Sequence, residues 1–217
     1  MSLAIFDLDN TLLNGDSDHA WGEFLCDKGL VDAEQYRLSN DYFYQQYKAG
    51  TLDIYEFLEF ALKPLSEHEP ERLEQLHQEF MKTKVAPMML DKAATLLQKH
   101  RAQGDFLLII TATNRFVTAP IATELGVDAT LATDPEQIDG RYTGKIAGTP
   151  CFQSGKVERL QAWLEQTGHS MENSYFYSDS INDKPLLELV DNPIAVDPDA
   201  LLEQTAKERG WPIISLR

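Results

Sequence analysis

Disulfide chemistry is all but missing from this chain. Its only cysteines, Cys26 and Cys151, are too few and too far apart to form a disulfide framework, so two free thiols are expected. Long apolar runs are missing as well. None approaches the roughly 18 residues of a membrane span. The N-terminus lacks a basic segment followed by an apolar stretch, so no secretory signal is visible and a cytoplasmic location is expected. Positive charge is scarce: 19 Lys and Arg stand against 35 Asp and Glu, a net charge of −16. Such a surface repels nucleic-acid phosphates and argues against a nucleic-acid role. It also repels anionic substrates at long range, so a phosphate site here requires local cations. Nothing in the sequence sets the oligomeric state.

What is present is a globular composition, 43% hydrophobic and 25% charged, over 217 residues. That is enough for one sizeable core and a smaller appended unit. Short apolar runs at 3–8, 106–110, 175–177, 194–196 and 213–216 alternate with helical spacing over 91–101, 118–125, 156–165 and 185–190. This rhythm predicts a parallel α/β sheet flanked by helices. Residues 16–85 break it with amphipathic stretches at 20–28, 33–48, 54–62 and 70–84. Asp32 and Ser66 are candidate N-caps, and Gly29 and Gly50 candidate stops. The aromatics Tyr36, Phe43, Tyr44, Tyr47, Tyr55, Phe57 and Phe60 fall at helical spacings and are expected to form the core of this small bundle. Pro87 marks the return to the main body. Asp139-Gly140 predicts a hairpin within 133–148. The expected division is a core of 1–14 and 88–217, carrying the hairpin, and a helical cap of 15–87.

The first strand ends in Phe6-Asp7-Leu8-Asp9-Asn10-Thr11. Two carboxylates two residues apart on a strand point the same way, toward the sheet mouth where α/β ligands collect. Their repulsion calls for a cation or a proton between them. The pair suits a hard divalent metal, or one nucleophile beside one acid/base; an ordinary Asp-rich turn is the plain alternative. Three further stretches add to it. In Thr111-Ala112-Thr113-Asn114, a strand end offers a hydroxyl and exposed amides to an anion. In Gly155-Lys156, a lysine opens a helix against the dipole and needs compensating anions. In Asp179-Ser180-Ile181-Asn182-Asp183, a strand end places one acid at the mouth and another in the next helical turn. A surface lysine and a helix-start acid are the plain readings of the last two.

Taken in order, these motifs make the chain resemble the haloacid dehalogenase-like superfamily of phosphatases over nearly its whole length. The helical insert after the first motif resembles the type 1 cap of the phosphoserine-phosphatase-like branch, subclass IB. The resemblance implies a Rossmann-like core with its active site beneath the cap. It implies Asp7 as the nucleophile that becomes an aspartyl-phosphate, and Asp9 as the general acid and then base. It implies Mg²⁺ held by Asp7, the Asp9 carbonyl and Asp179, with Asp183 in support. Thr111, Ala112, Thr113, Asn114 and Lys156 would bind the phosphoryl oxygens. The partner so implied is a small phosphomonoester.

Phosphoserine-specific relatives carry a cap Glu where this chain has Asp16, and a cap Arg that clamps the substrate carboxylate. Only Arg37 and Arg72 lie between 16 and 85, neither in that context. The expected substrate therefore has a cationic or hydroxylated leaving group and no carboxylate. Histidinol phosphate is an example, with Asp16, Asp18 and His19 facing its amine; helix capping is the plain reading of Asp16 and Asp18. Phosphoserine hydrolysis, phosphotransfer to an alcohol, and a non-catalytic phosphate- or metal-responsive binding module are the alternatives.

Overall fold

The computed structural model describes residues 2–217. Six parallel strands form one sheet: β1 (Leu3–Phe6), β2 (Phe106–Asn114), β3 (Ala129–Thr133), β6 (Tyr175–Ser178), β7 (Asn192–Val196) and β8 (Ile213–Ile214), ordered β3-β2-β1-β6-β7-β8. The near-continuous apolar runs of β1 and β2 fit central strands covered on both faces. Alternation along β1 splits the core. Ala4 and Phe6 face α5 (Asp91–Gln103) and α6 (Arg115–Leu125), with Leu97, Val117 and Ile121. Leu3 and Ile5 face α7 (Ser154–Thr167), α8 (Lys184–Leu187) and α9 (Ala200–Arg209), with Leu160, Leu186 and Leu202. No helix among the described residues is long and apolar enough to cross a membrane.

β1 ends two residues earlier than its apolar run predicts. Asp7 N–H still donates to Tyr177 O at 2.9 Å. Beyond it, Asn10 takes φ of 58° and the amides of Leu12 and Leu13 fold back on Leu8 O. Asn tolerates that left-handed conformation, and the turn swings Asp7 and Asp9 over the strand end. β2 runs longer than expected, through Asn114, which then caps α6 by accepting from Val117 N–H at 3.2 Å.

The insert after β1 is helical as expected: α1 (Ser17–Asp27), α2 (Ala33–Ala49), α3 (Ile54–Ser66) and α4 (Pro70–Phe80). Asp16, Asp32 and Asp53 cap the first three, and Gly50 ends α2 at φ of 71°. Ser66 is not a cap. It is the last residue of α3, and its hydroxyl donates to Lys63 O at 2.7 Å. The helix expected over 70–84 breaks into a π-helical turn, Met81–Val85, and a 3-10 turn, Ala86–Met88. Thr83 Oγ1 donates to Glu79 O at 2.9 Å, a back-bond that competes with a regular ladder. The two crossings between insert and sheet run side by side, with Leu13 bridged to Met89 and Asn14 N–H bonded to Met88 O at 2.8 Å.

The hairpin is present as β4 (Pro135–Ile138) and β5 (Arg141–Ile146), with Asp139 and Gly140 both at positive φ, as a type I′ turn requires. It leans on α3, so close that a Cβ on Gly144 would sit 3.2 Å from Ser66 Oγ.

The aromatic expectation holds only in part. Trp21, Phe24 and Phe80, with Phe116 and His77, form the packed cluster between insert and sheet. Along α2, Asn40 is the only buried residue. Phe43, Tyr44 and Tyr47 of α2 and Phe57 of α3 are half-buried and turned to a cavity above the sheet.

Candidate active site

Carboxylates and one ammonium converge where β1, β2 and β6 end. Lys156 is the third residue of α7 and is buried. Its Nζ lies 2.7 Å from Asp7 Oδ1, and 2.7 and 2.8 Å from the two oxygens of Asp183. Ser178 Oγ donates to Asp183 at 2.7 Å. The start of α7 is built for this. Gln153 takes φ of 48°, and a Cβ on Gly155 would sit 2.0 Å from Pro150 O, so only glycine fits before the lysine.

Asp9 is held apart from that group. Its Oδ1 accepts from Ser17 N–H at 2.6 Å and its Oδ2 from Thr113 Oγ1 at 2.8 Å. Asp179 Oδ1 accepts from Thr11 Oγ1 at 3.1 Å. Thr111 Oγ1 accepts from Thr113 N–H at 3.2 Å, and Thr111, Ala112 and Thr113 line the cavity.

Four buried acids therefore share one lysine, which pairs with two of them, Asp7 and Asp183. Burial pushes the Asp7 carboxyl up to about 7 despite Lys156, with Asp183 adding to the rise. Burial and then Asp16 push Asp9 up to about 6, against the Ser17 and Thr113 bonds. Asp179 is raised well above the carboxylate range by burial, then by Asp7 and Asp183. Burial alone would lower the Lys156 ammonium, but Asp183 and Asp7 outweigh it and hold the group charged. This surplus of buried oxygen anions is the setting a hard divalent cation neutralises. No three His, Cys, Asp or Glu side chains among the described residues are gathered closely enough to enclose an ion unaided. Mg²⁺ tolerates that, since it usually takes one or two carboxylates and fills its shell with water and phosphate oxygens.

Each expected site residue has a definite place. Asp7, Asp9, Thr111, Thr113, Lys156, Asp179 and Asp183 converge. Thr113 spends its hydroxyl on Asp9. Asn114 caps α6 and donates to Asp18 at 3.3 Å. Asp16 Oδ1 accepts from the amides of Asp18 and His19, both at 2.9 Å, so its capping role is real, although it also lines the cavity. His19 also lines the cavity but pairs with Asp41 at 2.9 Å. Sequence reasoning missed Asn182. Its Nδ2 donates to Tyr47 O of α2 at 3.0 Å, and its Oδ1 accepts from Gln153 Nε2 at 3.0 Å. It also missed the aromatic roof, whose only signal was a helix rich in tyrosine yet poor in aliphatic core residues.

The cavity under the roof measures about 50 Å³. That is room for only a few waters, so the helices lie close over the site.

This architecture, with two acids after the first strand and a lysine and further acids at neighbouring strand ends, defines a hydrolase with a helical insert over its site. The family model for haloacid dehalogenase-like hydrolases matches residues 4–188, and the chain belongs to that family. A histidinol-phosphatase of Neisseria meningitidis serogroup C (strain 8013) is 46% identical over 220 residues, covering 100% of this chain and 99% of the relative. A phosphoserine phosphatase of Mycobacterium tuberculosis (strain ATCC 25618 / H37Rv) is 32% identical, covering 99% of this chain and 70% of the relative. A crystal structure of a protein of unknown function from Bordetella pertussis Tohama I superposes with a TM-score of 0.93 at 46% identity, covering 100% and 99% of the two chains. The chain is a phosphatase of this family.

Proposed function

We propose that the chain hydrolyses a small phosphomonoester through an aspartyl-phosphate on Asp7, with histidinol phosphate the best-supported substrate. The observation that carries the reading is the separation of two acids on one turn. Asp7 lies against Lys156, and Asp9 is held independently by Ser17 N–H and Thr113 Oγ1. Asp7 attacks phosphorus, and Asp9 gives its proton to the departing alcohol. Held near 6, Asp9 then takes a proton from water as the acyl phosphate is cleaved. Lys156 and Thr111 face the phosphoryl oxygens and offset charge in the transition state. Asp7, the Asp9 carbonyl and Asp179 would hold Mg²⁺, with Asp183 in support. When bound, the ion neutralises phosphoryl charge and fixes the ester for in-line attack. Ala112 and Asn114 contribute backbone amides at the strand end.

Residues 15–87 act as a cap that opens and closes over a core of 1–14 and 88–217, the paired crossings at Leu13 and Met89 serving as its hinge. The substrate preference rests on the 46% identity to the histidinol-phosphatase and on cap chemistry. Arg37 is engaged outside the cavity by Glu23 at 3.1 Å and Asp27 at 2.9 Å, and no arginine among the described residues lines the cavity to clamp a carboxylate. The test is phosphate release with Mg²⁺ from a panel including histidinol phosphate and phosphoserine. Wild type should turn over the first in preference, and Asp7→Asn should be silent. A preference for phosphoserine, or turnover by Asp7→Asn, defeats the proposal.

A further inference from the structure

The leaving-group end of the cavity has a composition of its own. Its roof is aromatic: Phe43 and Tyr44 from α2 and Phe57 from α3, all half-buried, with Phe43 and Phe57 edge to face at 5.6 Å. Its titratable wall is Asp16 and Asp18 at the start of α1, with His19 beside them paired to Asp41. These two carboxylates are not equivalent. Asp16 is fixed as the helix cap by two amide bonds. Asp18 makes a single long contact, from Asn114 Nδ2 at 3.3 Å, and no Lys, Arg or His among the described residues pairs with it.

A phosphate ester entering this cavity faces acids at both ends. At the reacting end, Lys156 and a bound cation offset them. At the far end the one basic side chain, His19, is engaged by Asp41 at 2.9 Å, which leaves Asp18 for a charge that arrives with the substrate. Aromatic faces attract cations and stack on flat rings. We propose that this end selects a leaving group carrying a flat ring and a cationic nitrogen, with Asp18 as the carboxylate that receives the charge and Phe43, Tyr44 and Phe57 as the surface on which the ring lies. Asp18, rather than the capping Asp16, is then the specificity-determining acid. The assignment rests on the phosphatase reading above and extends it to the leaving group. Burial, Asp16 and Asp9 hold the Asp18 carboxyl well above its ordinary range, and an arriving cation relieves that penalty.

The experiment compares histidinol phosphate, which carries a flat imidazole beside an ammonium, with phenyl phosphate, whose ring is flat and which bears no cation, in wild type, Asp18→Asn, Asp18→Glu and Asp16→Asn. The readout is the ratio of kcat/KM for the two esters. Asp18→Asn should lower the ratio at least about tenfold, the scale of one charge-assisted contact. Asp18→Glu, which keeps the charge, should hold it within about threefold, as should Asp16→Asn, since Asn still caps a helix. An unchanged ratio in Asp18→Asn, or an equal loss in Asp16→Asn, overturns the assignment. If wild type cleaves neither ester, the phosphatase reading fails, and calorimetric binding of the alcohol histidinol decides the remainder. Binding that weakens tenfold in Asp18→Asn sustains the assignment, and absence of binding to wild type ends it. Should Asp18→Asn not fold, Phe43→Leu is the second variant, with a ratio lowered at least threefold expected and an unchanged ratio against the proposal.

Discussion

Lys156 Nζ bridges Asp7 and Asp183, 2.7 Å from an oxygen of each, with all three side chains buried. Removing one partner of a buried ion pair leaves the other charge uncompensated, which costs about 3–5 kcal/mol. Lys156→Ala should therefore lose stability on that scale in urea titrations without metal. It should also lose at least about 10²-fold in kcat, as removal of a group that stabilises transition-state charge does. A variant with near-normal turnover would place the phosphoryl group elsewhere.

The raised carboxyls give metal binding a pH signature. Asp7 at about 7 and Asp9 at about 6 both lie above the ordinary 3.8. Without metal, the folded state holds protons that the unfolded state has released between pH 3.8 and those values. These groups therefore take stability away as pH rises from about 4 toward 6 and 7, and no more above that. Mg²⁺ competes with those same protons. Its thermal shift should be small at pH 5.5 and grow through pH 7.5. Asp179→Asn, which removes the acid repelled by Asp7 and Asp183, should shrink it. A Mg²⁺ shift independent of pH would place the ion away from these acids.

Asn182 ties the roof to the floor. It joins Tyr47 O on α2 to Gln153, three residues before Lys156, from within the loop carrying Asp179 and Asp183. Asn182→Ala should loosen the closed state. Amides at the C-terminal end of α2 should exchange about fivefold faster, the opening free energy falling by roughly the 1 kcal/mol of one hydrogen bond. Amides of α4 should be unaffected. Equal exchange at both helices would leave Asn182 no part in closure.

Most of the sheet and the reacting end were legible in the chain. Apolar runs such as Leu3–Phe6 mark buried parallel strands, and an acid or hydroxyl directly after such a run marks the sheet mouth, which is how Asp7, Asp9, Thr111 and Asp179 declare themselves. Residues whose roles depend on what packs above them were not legible. Nothing local separates Tyr47 or Phe43, facing a cavity, from Phe24, facing a core, because both sit at helical spacing. Asn182 bonds across 135 residues of sequence, beyond any local pattern. Asp16 and Asp18 were read together, and only geometry separates the cap from the loosely held acid.

Gly155 gives the sharpest steric prediction. A Cβ there would lie 2.0 Å from Pro150 O, a backbone atom that cannot rotate away. Gly155→Ala must displace either the 149–153 loop or the first turn of α7, and Lys156 is the next residue. Elsewhere in a helix, Gly to Ala gains about 1 kcal/mol; here the clash reverses the sign. A displacement of about 1 Å at Lys156 Nζ is enough to cost about 10²-fold in turnover. The variant should thus melt below wild type and lose activity on that scale. Gly168→Ala is the control at the other end of α7, where a Cβ meets nothing within 4 Å. Its φ of 74° costs about 1 kcal/mol for a side chain, but it should leave turnover intact. Equal activity losses in the two would trace the effect to helix stability rather than to where the lysine stands.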